Sequence, residues 1–349
     1  MSRRAATLTV ASVIVVVLAL VGSAMPVPYV ALMPGPTSNT LGTNDKGQPL
    51  IRIDGRKTYP DEGHLNFTTV TYRGGPGGRI DLFTALRGWL DSDTAIVPEE
   101  TIFPKDESQK QVDEENTRQM QDSQQSAEAA ALRELGITVP TRVVVDGVQK
   151  GRPADGKLKP GDEITALDGA KVTSVSQVTG SMAKREIGAP ATLTYTRGGK
   201  EEKATLKTVA DPTGKRAVVG VVLSDQYKFP FKIDISIGDI GGPSAGLMFS
   251  LAIVDKLTPG PLTQGKFFAG TGTITPEGEV GPIGGIQQKM IAARKAGATV
   301  FLTPKDNCAD AVPARPDGLR LVRADTLHSS VQAINAITSG KGDIPACTK

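Results

Sequence analysis

An uncharged stretch near the start of the chain constrains its fold more than any other feature. After Arg3 and Arg4 no charged residue appears until Asp45, and Ala5 to Ala24 is almost wholly apolar. A run of about 20 apolar residues can cross the hydrocarbon core of a bilayer as one helix. Arginines ahead of the run favour a cytoplasmic N-terminus, which puts the rest of the chain outside the cytoplasmic membrane. A cleaved signal peptide is the other reading, with Gly22-Ser23-Ala24 as the small residues of a cut site. Both readings export the remainder of the chain. An oxidising compartment would permit a bond between Cys308 and Cys347, and two separate thiols remain the alternative.

Composition excludes several kinds of chemistry. A net charge of +3 leaves no electrostatic footprint for nucleic acid. His64 and His328 are the only histidines and Cys308 and Cys347 the only cysteines, so no metal site and no cofactor are expected. Gly260 to Phe267 has the spacing of a phosphate loop. Phe267 stands where a hydroxyl must reach magnesium, so no ATP is expected either.

The texture of the chain predicts a multidomain α/β protein. Residues 1–25 form the transmembrane helix or signal sequence, and 26–125 a small β-rich region with a polar linker. In that region Leu65 to Tyr72 reads as a strand and Ile80 to Leu90 as a helix, and no chemistry is assigned there. The stretch 105–134 is strongly polar and ends in the alanines Ala127 to Ala131, which favour a helix. It reads as a solvated helix bridging two domains, exposed enough to be a self-processing site. A β-sandwich or barrel follows at 126–212, an α+β domain at 213–340 and a tail at 341–349.

The span 126–212 has short β-branched runs cut by glycine. Gly151-Arg152-Pro153-Ala154, Leu158 to Ile164 and the Asp168-Gly169 turn occur in an order that resembles the PDZ domains of bacterial envelope proteases. The resemblance implies that Leu135, Gly136 and Ile137 form the carboxylate-binding loop of a groove that takes an extended chain end as an added strand.

Two residues in the α+β domain carry the chemistry. Asp239 to Leu247 joins a strand to a helix predicted over Pro243–Leu257, with Pro243 suited to its first turn. Ser244 then sits at a helix head, where unpaired N–H groups favour developing negative charge. Capping the helix is its alternative role. A second helix is predicted over Ile286–Ala296. Counting about 100° per residue from Ile286 puts Lys289 inside the apolar arc made by Met290, Ala293 and Ala296, with Gln287, Gln288, Arg294 and Lys295 opposite. A lysine there either snorkels or loses solvation. Desolvation by about 3 pKa units costs roughly 4 kcal/mol and leaves an amine able to take a proton from a hydroxyl near neutral pH.

The segment Gly242-Pro243-Ser244-Ala245-Gly246 resembles the nucleophile motif of the Lon proteases. The run from Thr271-Gly272-Thr273-Ile274 through Pro282 to Ile286 and Lys289 resembles the motif that carries their lysine, followed by Thr303 to Asn307. The resemblance implies a Ser–Lys dyad, with Ser244 as nucleophile, Lys289 as general base and acid, and Thr271 holding the pair. Gly242 and Ala245 would support the oxyanion. The whole chain is similar to the membrane-anchored PDZ–Lon-like proteins of Gram-positive bacteria. With no ATPase module in the chain and no ATP outside the cell, the expectation is an ATP-independent endopeptidase acting on unfolded or extended polypeptides; Lon-like domains, by resemblance, often form hexameric rings. One departure is Gly241, where Lon proteases commonly carry an acid three residues before the serine. Asp239 is the nearest carboxylate, and its part in catalysis is left open. This departure favours the second reading, a catalytically silent PDZ-bearing envelope scaffold.

Overall fold

The computed structural model describes residues 3–44, 46–104, 107–238 and 240–348. Helix α1 (Arg3–Ala24) has a mean hydropathy of 2.5, long and apolar enough to cross a membrane. The chain divides into two compact units: Met1–Ile137 together with Phe231–Lys349, and Thr138–Pro230.

The larger unit is built on a mixed sheet. Its strands are β1 (Tyr29–Asn39), β3 (His64–Arg73), β4 (Ala95–Pro98), β11 (Phe267–Gly270), β12 (Val300–Pro304) and β13 (Arg320–Ala324), in the order β13-β12-β11-β3-β1-β4. Strand β11 runs parallel to β3 and β12, whereas β1 is antiparallel to β3 and β4. A separate antiparallel pair joins β2 (Ile51–Asp54) to β10 (Lys232–Ile235). Residues 26–125 were expected to form a region of their own, but β3 is a central strand of the sheet. Leu65, Asn66, Phe67 and Thr68 are all buried, so both of its faces are covered.

Two helices supply the cover. Phe67 meets Phe249 of α5 (Gly246–Leu257), with ring centroids 5.6 Å apart. Val70, of opposite parity along the strand, packs at Gly285, which caps α6 (Ile286–Lys295). Opposite parity puts α5 and α6 on opposite faces of the sheet.

Helix α2 (Leu82–Leu90) forms within the stretch read as helical, whereas α3 (Gln109–Glu134) differs from the solvated bridge and exposed cut site expected of it. Ser108 and Gln111 close a capping box at its start. Val112, Met120, Ser123, Ala127, Ala130 and Ala131 are buried, and the helix packs along α5. Its average polarity conceals this stripe, because small alanines and a serine allow a close approach without lowering the mean polarity.

The smaller unit holds β5 (Thr141–Val148), β6 (Glu163–Leu167), β7 (Pro190–Arg197), β8 (Lys200–Lys207) and β9 (Val221–Tyr227) in the antiparallel order β8-β7-β6-β5-β9. Helix α4 (Val175–Ala183) closes its core, in which Val178 packs with Val143, Ile164, Leu167 and Leu193. This unit starts twelve residues later than the 126–212 expected, because 126–137 belong to α3 and its cap. It also ends later, because β9 pairs with β5 along its whole length.

Cys308 and Cys347 are joined by a disulfide. Beside it Arg323 N–H donates to Pro345 O at 2.9 Å, which holds the C-terminal segment against β13.

Candidate active site

Ser244 stands two residues before α5 and Lys289 lies within α6, the two helices that sandwich β3, and the two side chains meet at the end of β11. Lys289 Nζ lies 2.6 Å from Ser244 Oγ and 3.1 Å from Thr271 Oγ1. The Thr271 hydroxyl donates to Ser244 O at 2.9 Å. Having spent its proton there, it can only accept from the amine, so it does not compete with Ser244 as a donor to the nitrogen lone pair. Lys289 is 3% exposed and Thr271 fully buried. Burial brings the lysine down to about 7, so a large part of it is an uncharged amine at neutral pH.

Helix α5 begins three residues after Pro243, later than the sequence suggests, because the Ser244 carbonyl is already occupied. Gly272 N–H and the Thr271 hydroxyl both donate to it at 2.9 Å, so it cannot accept from within the helix. Ala245 is the N-cap, with no side-chain cap. The N–H groups of Ala245 and Gly246 precede any possible i−4 carbonyl of α5. Gly242 does not serve as the oxyanion donor expected of it: its N–H donates to Asn116 O of α3 at 2.9 Å. Asp239 lies outside the described residues.

The missing acid at Gly241 has a steric cause. A Cβ there would stand 2.8 Å from Asn116 Cβ, so α3 occupies the place of that side chain. Ser123, on the same helix, donates its hydroxyl to Pro243 O at 2.9 Å. Sequence reasoning missed both residues because neither lies in the motif they support. Asn307 clamps the turn before α6, accepting from Ile283 N–H at 2.9 Å and donating to Ile283 O at 3.0 Å.

A groove of about 1190 Å³ runs past the pair, between residues 68–72 of β3 and the face of α3 that carries Asn116, Met120 and Gln124. His64 N–H donates toward β11, to Lys266 O, while Leu65 O accepts from Thr40 N–H on the β1 side. Alternation then turns the backbone groups of Val70 and Tyr72 toward the β11 side. Pairing with β11 stops at Phe67, so these groups face the groove.

The phosphate-loop spacing at 260–267 leads into strand β11, not a helix, and Lys266 Nζ donates to Ile337 O at 2.6 Å. Leu135, Gly136 and Ile137 are the C-terminal cap of α3. Their N–H groups donate to Ala131 O, Arg133 O and Leu132 O, which leaves them nothing to offer a carboxylate.

Residues 231–334 match the family described as Lon protease (S16) C-terminal proteolytic domain, and residues 112–208 match the PDZ domain family. The chain carries a PDZ domain and a Lon-type proteolytic domain. It is 45% identical over 69 residues to a Lon protease of Dictyoglomus thermophilum, covering 20% of this chain and 8% of that protein. It is 28% identical over 182 residues to Lon protease 1 of Bacillus subtilis, covering 50% of this chain and 23% of that one. The chain thus spans less than a quarter of the length of either relative. A crystal structure of the PDZ domain of an SdrC-like protein from Listeria monocytogenes is 30% identical over 23% of this chain and 85% of that domain, with a TM-score of 0.22. The Lon-type domain begins at β10, yet β3 and α3, which border its groove, precede it in the chain.

Proposed function

We propose that the protein is a serine endopeptidase in which Ser244 is the nucleophile and Lys289 the general base, acting outside the cytoplasm without ATP. The carrying observation is the 2.6 Å approach of a buried, largely neutral amine to the Ser244 hydroxyl. As Oγ attacks the substrate carbonyl carbon, its proton passes to Lys289 Nζ. The tetrahedral oxyanion is met by N–H groups at the head of α5. The lysine then gives its proton to the leaving amine, which departs and leaves an acyl-enzyme on Ser244. A water repeats the sequence, with Lys289 taking its proton and returning one to Oγ.

The substrate in this reading is an unfolded or extended polypeptide. The outward backbone groups of Val70 and Tyr72 support it, because an extended chain can bind there as an added strand. In the PDZ domain we place the chain-end site at the outer edge of β9, beside α4, instead of at 135–137. There β9 ends its sheet, and Val175 N–H at the head of α4 is held 2.8 Å from Asp225 Oδ1. The Cys308–Cys347 bond supports an oxidising compartment, and α1 supports a membrane anchor. An assembly into a hexameric ring belongs to the same reading.

Turnover of denatured casein by the full chain in detergent micelles tests the activity. Ser244→Ala and Lys289→Ala should each abolish it with the fold retained. Equal turnover by wild type and both variants would leave the silent scaffold as the better account.

A further inference from the structure

A second pocket, of about 510 Å³, adjoins the groove, and Gln124, Ile235 and Ser236 border both. Glu128 stands in its wall, one helical turn beyond Gln124 on the same face of α3. Glu128 is 8% exposed and forms no hydrogen bond or ion pair among the described residues. A buried carboxyl without a partner is costly, and native proteins keep few of them.

The other charges of the pocket are already matched. Arg52 pairs with Asp54 at 3.1 Å and with Asp234 at 3.0 Å, and Lys232 pairs with Asp234 at 2.9 Å. Two cations and two carboxylates therefore close on one another, and Glu128 is left over. Burial and the charge of Asp234 push it up to about 8, so it carries its proton at neutral pH while the pocket is empty.

We infer that Glu128 is the recognition group of a specificity subsite that takes a basic side chain, Lys or Arg, from the polypeptide in the groove. The arriving ammonium or guanidinium supplies the missing partner, and Glu128 releases its proton to solvent as the ion pair forms. This assignment rests on the polypeptide-binding part of the reading above and does not require that bonds be cut.

It is tested by binding, with Ser244→Ala full chain in micelles and short extended peptides bearing a fluorophore. The peptides are otherwise uncharged and are paired, with lysine or its uncharged isostere norleucine at each central position in turn. At one position the lysine peptide should bind about tenfold more tightly at pH 7, which corresponds to about 1.4 kcal/mol. Its binding should release protons, seen as a binding enthalpy that depends on the ionisation enthalpy of the buffer. Glu128→Gln, which keeps the shape and the uncharged state, should remove both the preference and the proton release. The assignment is overturned if the preference and the release persist in Glu128→Gln, or if no position prefers lysine. Turnover of the norleucine peptides by the chain with Ser244 intact reports on the protease reading separately.

Discussion

Lys289 Nζ approaches Ser244 Oγ to 2.6 Å while almost all of the lysine is withdrawn from water. Two helices on opposite faces of one sheet hold this contact, and Thr271 orients the amine between them. The packing that creates the base also sets its protonation, which ties stability to chemistry in this unit.

Replacing Lys289 by methionine should therefore stabilise the fold while abolishing hydrolysis. The lysine is lowered to about 7 in the folded protein, against 10.5 when solvated. Between those values the unfolded chain binds the extra proton, so stability rises with pH across that window. Below the folded value the full penalty applies, on the order of 5 kcal/mol. Chemical denaturation of wild type and Lys289→Met between pH 6 and about 10 should show the variant more stable at the acid end, with the gap closing as pH rises. A gap that does not change with pH would mean that Lys289 is not held neutral by burial.

Ser123 should act as a positioning residue. Its hydroxyl bonds to Pro243 O and never reaches the reacting atoms. Ser123→Ala should cost about 1 kcal/mol of stability and lower kcat about tenfold through a looser nucleophile turn. KM should hardly move, and Ser123→Thr should recover part of the loss. A fall in stability with kcat unchanged would make the residue purely structural.

Gly241→Asp would restore the acid common in Lon proteases, and it should be harmful here. Its Cβ would meet Asn116 Cβ at 2.8 Å, so α3 must retreat. An overpacking cost of roughly 1–3 kcal/mol is expected. Thermal unfolding measures this, and an unchanged melting temperature would contradict the tight seating of α3.

The Cys308–Cys347 bond closes a loop of 39 residues. Loop entropy assigns it about 4 kcal/mol. Denaturant titration with and without a phosphine reductant should show a loss of that order. Coincident curves would show that the bond contributes nothing to the fold.

Much of the site was legible along the chain, because its chemistry follows local patterns. The helical phase of Lys289 on an apolar arc, and the charge-free run after Ser244, both depend on neighbours a few residues away. Gln288, placed on the polar arc by the same count, is buried at 5% exposure. What could not be read was supplied from a distance. Asn116 and Ser123 seat the nucleophile turn from more than a hundred residues upstream, and β3 enters the sheet beside β11 across a still longer gap. No periodicity in α3 distinguishes a helix packed on alanines from one facing water. The chain-end groove was misplaced for a related reason: Leu135-Gly136-Ile137 has the right residue types, but its N–H groups had already been spent on capping α3.

Phosphonylation of Ser244 by a fluorophosphonate probe, in which Oγ displaces fluoride from phosphorus, followed by mass spectrometry across pH 5 to about 10, tests the pairing of hydroxyl and amine most directly. The rate should rise through an apparent pKa near 7, matching the lysine, and level off above it. It should fall to background at every pH in Lys289→Met. Labelling that climbs without a plateau up to the alkaline limit, or that proceeds equally fast without the lysine, would contradict the account.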